Sequence, residues 1–386
     1  MSASVASGGS AAARQSLADV DPVERLLARH RPIDCDLHVA VPDNGVLLPY
    51  FEDYWREQIT MRGIDRQPLD LTSYPPNAAI SVRPDWRPAS GRPGSDLSTV
   101  QRQALDPFHS RLAIINCLHG SMVLHSEDMA AAFARAINDW VAKEWLDRDP
   151  RLRASIVVSA ESPQLAIEEI ERRAGDTRFV QVLLLAMGEL PLGRRFYWPL
   201  YEVAEHHGLP IGIHAGSSYR HAPTGIGWPS YHLEEYVGQS AGFESQLLSL
   251  VSEGAFAKFP KLKVVLMESG FMWLPAFMWR ADKTWRGVRP EVPWVKEAPS
   301  DILRAHMRLT IQPVDTPPQP EQFERVIEQI GCDDMLLFAT DYPHWQFDGM
   351  DVLPPALAGA RAARVLVENA LKTYPRLTGE PKETTP

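Results

Sequence analysis

Ile33-Asp34-Cys35-Asp36-Leu37-His38 reads as a short strand that ends in Asp-x-His. Residues two apart in a strand point to the same face, so Asp36 and His38 project together at its C-terminal end. The hexapeptide alone leaves two readings open. The pair is either a hydrogen-bonded Asp–His couple or the first two ligands of a divalent ion. What decides between them is the company that later strands bring to the same end.

On the C-terminal side of this strand, apolar runs and amphipathic stretches alternate. Leu112-Ala113-Ile114-Ile115-Asn116-Cys117-Leu118 is continuously apolar but for one residue, as a strand buried on both faces of a parallel sheet must be. Comparable strands are expected at 154–158, 179–185, 210–214, 262–268, 307–311 and 335–340. Helices are expected at 126–146, 162–174, 199–207, 243–259, 274–285, 320–330 and 355–373. Eight strands, nearly all followed by a helix, predict an α/β fold: a (β/α)8 TIM barrel with a long irregular insertion after strand 1. An open doubly wound sheet is the alternative, but the first strand lacks the Gly-rich phosphate turn that such sheets carry. The insertion, 40–100, is rich in Pro and aromatic residues and reads as a packed lid. A second long loop is expected at 215–242. The domain division is a disordered N-terminal tail (1–20), one barrel domain (21–376) and a C-terminal tail (377–386).

Composition narrows the function classes. Net charge is −10 with 45% hydrophobic residues, which leaves no basic footprint for nucleic acid or for an anionic membrane. No apolar run approaches the ~20 residues of a membrane span. The first residues lack the apolar core of a signal peptide. Three scattered cysteines (Cys35, Cys117, Cys332) make neither a disulfide framework nor a cysteine zinc site. The expected location is cytoplasmic.

Barrel active sites gather at the C-terminal ends of the strands. Those ends carry Asp36 and His38 on strand 1, His119 past strand 2, His214 on strand 5, Glu268 on strand 6, Gln312 on strand 7, and Asp341 and His344 on strand 8. Strand 3 ends in nothing clearly chemical. So regular a placement of ionisable groups favours the metal reading of Asp-x-His. Asp-x-His, Ile211-Gly212-Ile213-His214, Asn138-Asp139-Trp140 and above all Asp341-Tyr342-Pro343-His344 resemble the amidohydrolase superfamily. The nearer likeness is to its amidohydrolase-related branch, which includes aminocarboxymuconate-semialdehyde decarboxylase and resorcylate-type decarboxylases. The resemblance runs from about Asp34 to the Glu368-Asn369-Ala370 helix.

That resemblance implies that Asp36, His38, His214 and Asp341 hold a divalent ion, with Asp341 also the acceptor of a proton from water. Two departures stand out: Asp36 where most amidohydrolases carry His, and Glu268 where many relatives place a proton-shuttling His. Glu268 is open to three roles (general acid–base, anchor of a ligand, or ligand itself) and to a plain salt bridge with an Arg. The oxygen-rich set suits Zn, Mn or Fe. One ion is expected, and two if His344 or His119 joins. His119, Trp198, His344 and Trp345 are candidate substrate contacts, among aromatic residues dense enough to suggest an apolar pocket.

The implied reaction is hydrolysis or non-oxidative decarboxylation of a small carboxylate-bearing compound, aromatic substrates included. An alternative class is a non-heme diiron oxygenase on the same barrel, fed by a ferredoxin or reductase. A further alternative is a non-catalytic binding barrel. A homodimer is expected from the resemblance, with Phe271 to Phe277, Trp279, Trp285 and Trp294 as candidate contacts.

Overall fold

The computed structural model describes residues 21–71, 82–344 and 352–378. The tail at 1–20, the middle of the insertion, Trp345 and the end of the C-terminal tail lie outside the described residues. Eight parallel strands follow one another in chain order around a single sheet: β1 (Ile33–His38), β2 (Leu112–Asn116), β3 (Leu152–Val157), β4 (Phe179–Met187), β5 (Ile211–Ser217), β6 (Val264–Met267), β7 (Met307–Thr310) and β8 (Leu336–Leu337). Each of them is buried along nearly its whole length, as a sheet covered by helices outside and by its own side chains inside requires.

The barrel closes between β8 and β1, and the closure explains why β8 is shorter than the 335–340 expected. Past Leu337 the chain leaves the regular ladder and attaches to β1. The Cys35 amide donates to the Phe338 carbonyl (2.9 Å), the Asp341 amide to Asp36 (3.0 Å) and the His38 amide to Tyr342 (2.8 Å). Asp34 acts as a clasp. Its carboxylate accepts from the Thr340 amide (3.1 Å), the Thr340 hydroxyl (2.6 Å) and the Asp36 amide (3.1 Å). Burial nonetheless pushes Asp34 up to about 7, so the clasp is a carboxyl poised near neutrality.

The helices of the described residues include α1 (Pro22–His30), α2 (Asp53–Met61), α3 (Glu127–Val141), α4 (Pro163–Arg173), α5 (Trp198–His206), α6 (His232–Ser252), α7 (Leu274–Val288), α8 (Pro299–His306), α9 (Pro320–Ile330) and α10 (Asn369–Thr373), and most of those expected are represented among them. The loop expected at 215–242 is half helix. Here α6 begins at His232, opened by a capping box in which Glu234 accepts the Ser230 and Tyr231 amides (2.9 Å each). Its first turns hid from periodicity because Leu233 and Val237 face solvent, 73% and 67% exposed. Helix α8 was not expected; Asp282 from α7 caps it by accepting the Ser300 amide and hydroxyl. The helix expected at 355–373 breaks after Ala358, and only its later part becomes α10. There Asn369 ties the segment to β8 through the Asp333 and Leu336 carbonyls.

The described parts of the insertion sit on the barrel mouth. Trp86 is buried and meets the Tyr342 ring at 4.9 Å. Gly94, at φ +71°, passes so close to β1 that a Cβ would stand 2.7 Å from the His38 carbonyl, which is why glycine is needed there. Of the expected dimer contacts, Phe271 and Phe277 are buried in the core, whereas Trp279 and Trp294 remain about half exposed. No described helix is long and apolar enough to cross a membrane.

Candidate metal centre

Three strand ends converge. The side chains of Asp36 and His38 from β1, His214 from β5 and Asp341 from just past β8 each offer one ligand atom, and these atoms lie within 4.8 Å of one another. All four residues are buried. His38 Nε2 stands 3.0 Å from Asp341 Oδ1, 3.4 Å from Asp36 Oδ1 and 3.3 Å from His214 Nε2. His214 Nε2 stands 3.6 Å from Asp36 Oδ2.

Two details fit this set to a cation. First, Asp36 Oδ2 is buried without a hydrogen-bond partner, an orphan that a cation would satisfy. Second, His214 Nδ1 faces the Ala215 carbonyl at 2.8 Å, which assigns the proton to Nδ1 and leaves the Nε2 lone pair aimed at the centre. Electrostatics agrees. Burial lowers His38, and lowers His214 to about 4, so both rings are neutral. Asp341 is held well below the usual carboxylate range: burial opposes this, but His344 and His38 outweigh it. Burial pushes Asp36 up to about 6, against the pull of His38. Two carboxylates and two neutral imidazoles thus present a net charge that one divalent ion cancels.

A second group overlaps the first: His38, Glu268, Asp341 and His344 also bring their ligand atoms within 4.8 Å. Glu268 Oε2 is 3.8 Å from both His214 Nε2 and His344 Nδ1, at the rim of the first group. His344 Nδ1 lies 3.0 Å from Asp341 Oδ1, and its ring stacks on His38 with centroids 4.4 Å apart. Burial works to discharge His344, but Asp341 and Glu268 prevail and lift it to about 10. Asp341 and Glu268 both adopt left-handed backbone, φ +53° and +55°. Non-glycine residues pay about 1 kcal/mol for that conformation, and such residues cluster at functional sites.

Two expected substrate contacts have their polar atoms engaged by protein neighbours. His119 is buried between Asn44 Oδ1 (3.0 Å) and Ser121 Oγ (2.8 Å), and its Nδ1 accepts the Ser121 amide, so it caps the turn after β2. Trp198 opens α5, donates its indole N–H to the Gly193 carbonyl (3.0 Å) and packs edge-on against Phe259. The ring cluster read as a pocket disperses as well: Tyr197 is buried, while Trp228 and Tyr231 face outward. What the sequence reading missed is Tyr236. Its buried hydroxyl lies beside Glu268, and burial first, then the Glu268 and Asp341 charges, keep it protonated. The signal was absent because Tyr236 belongs to the part of α6 read as loop.

His119 carries a stability prediction. Burial, with Arg92 adding, lowers its pKa from 6.5 to about 3. The unfolded state therefore binds the extra proton first, so stability is full above 6.5 and falls as pH drops toward 3. The expected slope from this residue is about 1.4 kcal/mol per pH unit in that window. Urea unfolding of His119→Gln should show a shallower acid limb than the parent protein, and an unchanged limb would refute the assignment.

A cluster with the ligand geometry to hold a cation, at the C-terminal mouth of a (β/α)8 barrel, defines the class: the architecture of metal-dependent barrel hydrolases and lyases. Within that class, the chain belongs to the amidohydrolase family, whose family model matches residues 33–376. It is 28% identical over 233 residues to a gamma-resorcylate decarboxylase of Polaromonas sp., covering 56% of this chain and 67% of that one. It is 26% identical over 250 residues to a 2-keto-4-carboxy-3-hexenedioate hydratase of Sphingobium sp., covering 62% and 65%. Its fold matches the crystal structure of a dihydroxybenzoic acid decarboxylase from Polaromonas sp. with bound manganese and 2-nitroresorcinol, at TM-score 0.62 and 20% identity, over 90% of this chain and 98% of that one.

Proposed function

We propose that this chain is a divalent-metal-dependent decarboxylase of small hydroxylated aromatic carboxylates. The observation that carries the metal half is the convergence of Asp36, His38, His214 and Asp341 around the unpartnered Asp36 Oδ2. The likeness to the gamma-resorcylate decarboxylase supports the chemical half. The four residues would hold the ion, and manganese suits a set with two carboxylates. When bound, it supplies positive charge that orients the substrate's carboxylate and hydroxyl oxygens.

The chain's own groups account for the proton. Decarboxylation breaks the bond between ring and carboxyl carbon and leaves the electron pair on the ring carbon, which must take up one proton as CO2 departs. Glu268 sits at the rim of the cluster, where its carboxylate can relay that proton to the ring carbon. His344, cationic and 3.8 Å from Glu268, can restore it. The Tyr236 hydroxyl, kept protonated, is a donor for a substrate oxygen.

The hydratase relative favours a second reading, addition of water to an unsaturated acid. The two are separated by incubating the manganese-loaded protein with hydroxybenzoates in ¹⁸O-labelled water. Decarboxylation releases CO2 and leaves no label in the organic product. Label in the product without CO2 would favour hydration or hydrolysis, and two irons per chain with O2 uptake would favour the oxygenase.

A further inference from the structure

Beneath the metal-type cluster runs a polar chain that no strand-end reading would find. Asn116 from β2 donates its amide to Asp36 Oδ1 at 2.7 Å. The Asn116 carbonyl accepts from the Ser155 hydroxyl on β3 and, at 3.3 Å, from the Gln181 amide on β4. Gln181 also donates to Ser155 Oγ at 2.7 Å. The Gln181 carbonyl accepts from the Tyr374 hydroxyl at 3.2 Å, just past α10. All five residues are at most 2% exposed.

The direction of this chain is forced. A carboxylate only accepts, so Asn116 must turn its NH2 to Asp36 and its oxygen away. That oxygen needs donors, which Ser155 and Gln181 supply. Gln181 then has only its oxygen left for Tyr374, whose hydroxyl must donate. Every donor therefore points toward Asp36, and reversing any amide would strand two buried groups at about 1–3 kcal/mol each. The barrel makes room for the arrangement. At Gly212 on β5, a Cβ would stand 2.9 Å from the Gln181 Oε1 and 2.7 Å from the Met267 Cε, so any side chain there would displace the relay.

We infer that Asn116, Ser155, Gln181 and Tyr374 are positioning residues: a one-way hydrogen-bond relay that occupies Asp36 Oδ1 and thereby presents Oδ2 to the cation. The inference deepens the reading of the cluster as a divalent-cation centre and rests on it. It makes cation affinity depend on a tyrosine at the C-terminal end of the barrel domain, a residue with no ligand of its own. Outer partners of this kind are worth roughly 10–100-fold in metal affinity.

The test is calorimetric titration of the ion-free protein with manganese(II), comparing the parent with Asn116→Ala, Ser155→Ala and Tyr374→Phe. Affinity should fall roughly 10–100-fold for Asn116→Ala. It should fall on the order of three- to tenfold for the isosteric Tyr374→Phe, the value of one neutral hydrogen bond. Ser155→Ala should lie between them. A purely structural role would lower the unfolding midpoints and leave manganese affinity at the parent value, which would overturn the relay. Tyr374→Phe keeps the packing and serves if Asn116→Ala does not fold. Should the parent protein take up no manganese, the cation reading of the cluster fails. The relay is then judged from crystals of ion-free Ser155→Ala: a turned Asp36 carboxylate supports it and an unmoved one refutes it.

Discussion

Asp341→Asn should empty the site of metal and lower kcat by about a thousandfold while leaving the protein folded. Asp341 Oδ1 is shared by His38 Nε2 and His344 Nδ1, each at 3.0 Å. The carboxamide removes one of the two negative charges that balance a divalent ion, and it does so in a buried site where water cannot compensate. Manganese affinity should drop by about 100-fold or more, beyond the usual cost of losing an outer partner. The loss in rate follows from the loss of the ion, which in the proposed reaction is what orients the substrate's carboxylate. The fold should survive for a backbone reason. Position 341 is left-handed, φ +53°, and Asn tolerates that conformation as well as any side-chain-bearing residue. Metal content by mass spectrometry, the rate of CO2 release and the melting of the ion-free protein measure the three parts separately. Full metal occupancy in the variant would remove Asp341 from the ligand set.

Glu268→Gln is expected to divide the same quantities differently. Glu268 Oε2 is 3.8 Å from the nearest ring nitrogens, too far for a hydrogen bond to either, so a single ion held by the other four residues should bind with little change. Glutamine fills the same volume but carries no exchangeable acid proton. The rate of CO2 release should fall by about 10²–10⁴ at unchanged manganese stoichiometry. Should the stoichiometry instead drop from two ions to one, Glu268 is a ligand of a second ion shared with His344, and the overlapping group is a dinuclear site. Glu268→His would place there the residue that the family resemblance leads one to expect. A variant with restored turnover would identify proton transfer as the function of the position. An inert variant would tie the reaction to a carboxyl group.

The sequence alone reached the barrel because its evidence is local. Eight apolar runs of strand length, each followed by an amphipathic stretch, admit few packings, and every strand buried on both faces announces itself by losing its polar alternation. The barrel rule sends the strand ends to one mouth, and the family resemblance singles out Asp36, His38, His214 and Asp341 among them; the structure brings the ligand atoms of these four within 4.8 Å of one another. The first half of α6 escaped because its apolar side chains face solvent rather than a core, so no buried stripe marked it, and Tyr236 escaped with it. His119 and Trp198 looked functional by position, yet their polar atoms are taken up by Asn44, Ser121 and Gly193. Only the tertiary structure could assign those partners, because Asn44 lies on a separate segment and, even for the nearby Ser121 and Gly193, hydrogen-bond geometry leaves no trace in composition or period. The same holds for the relay from Tyr374 to Asp36. Ser155 and Gln181 are unremarked polar residues within apolar strands, and they acquire a direction only when four neighbouring strands and the last helix enclose them away from water.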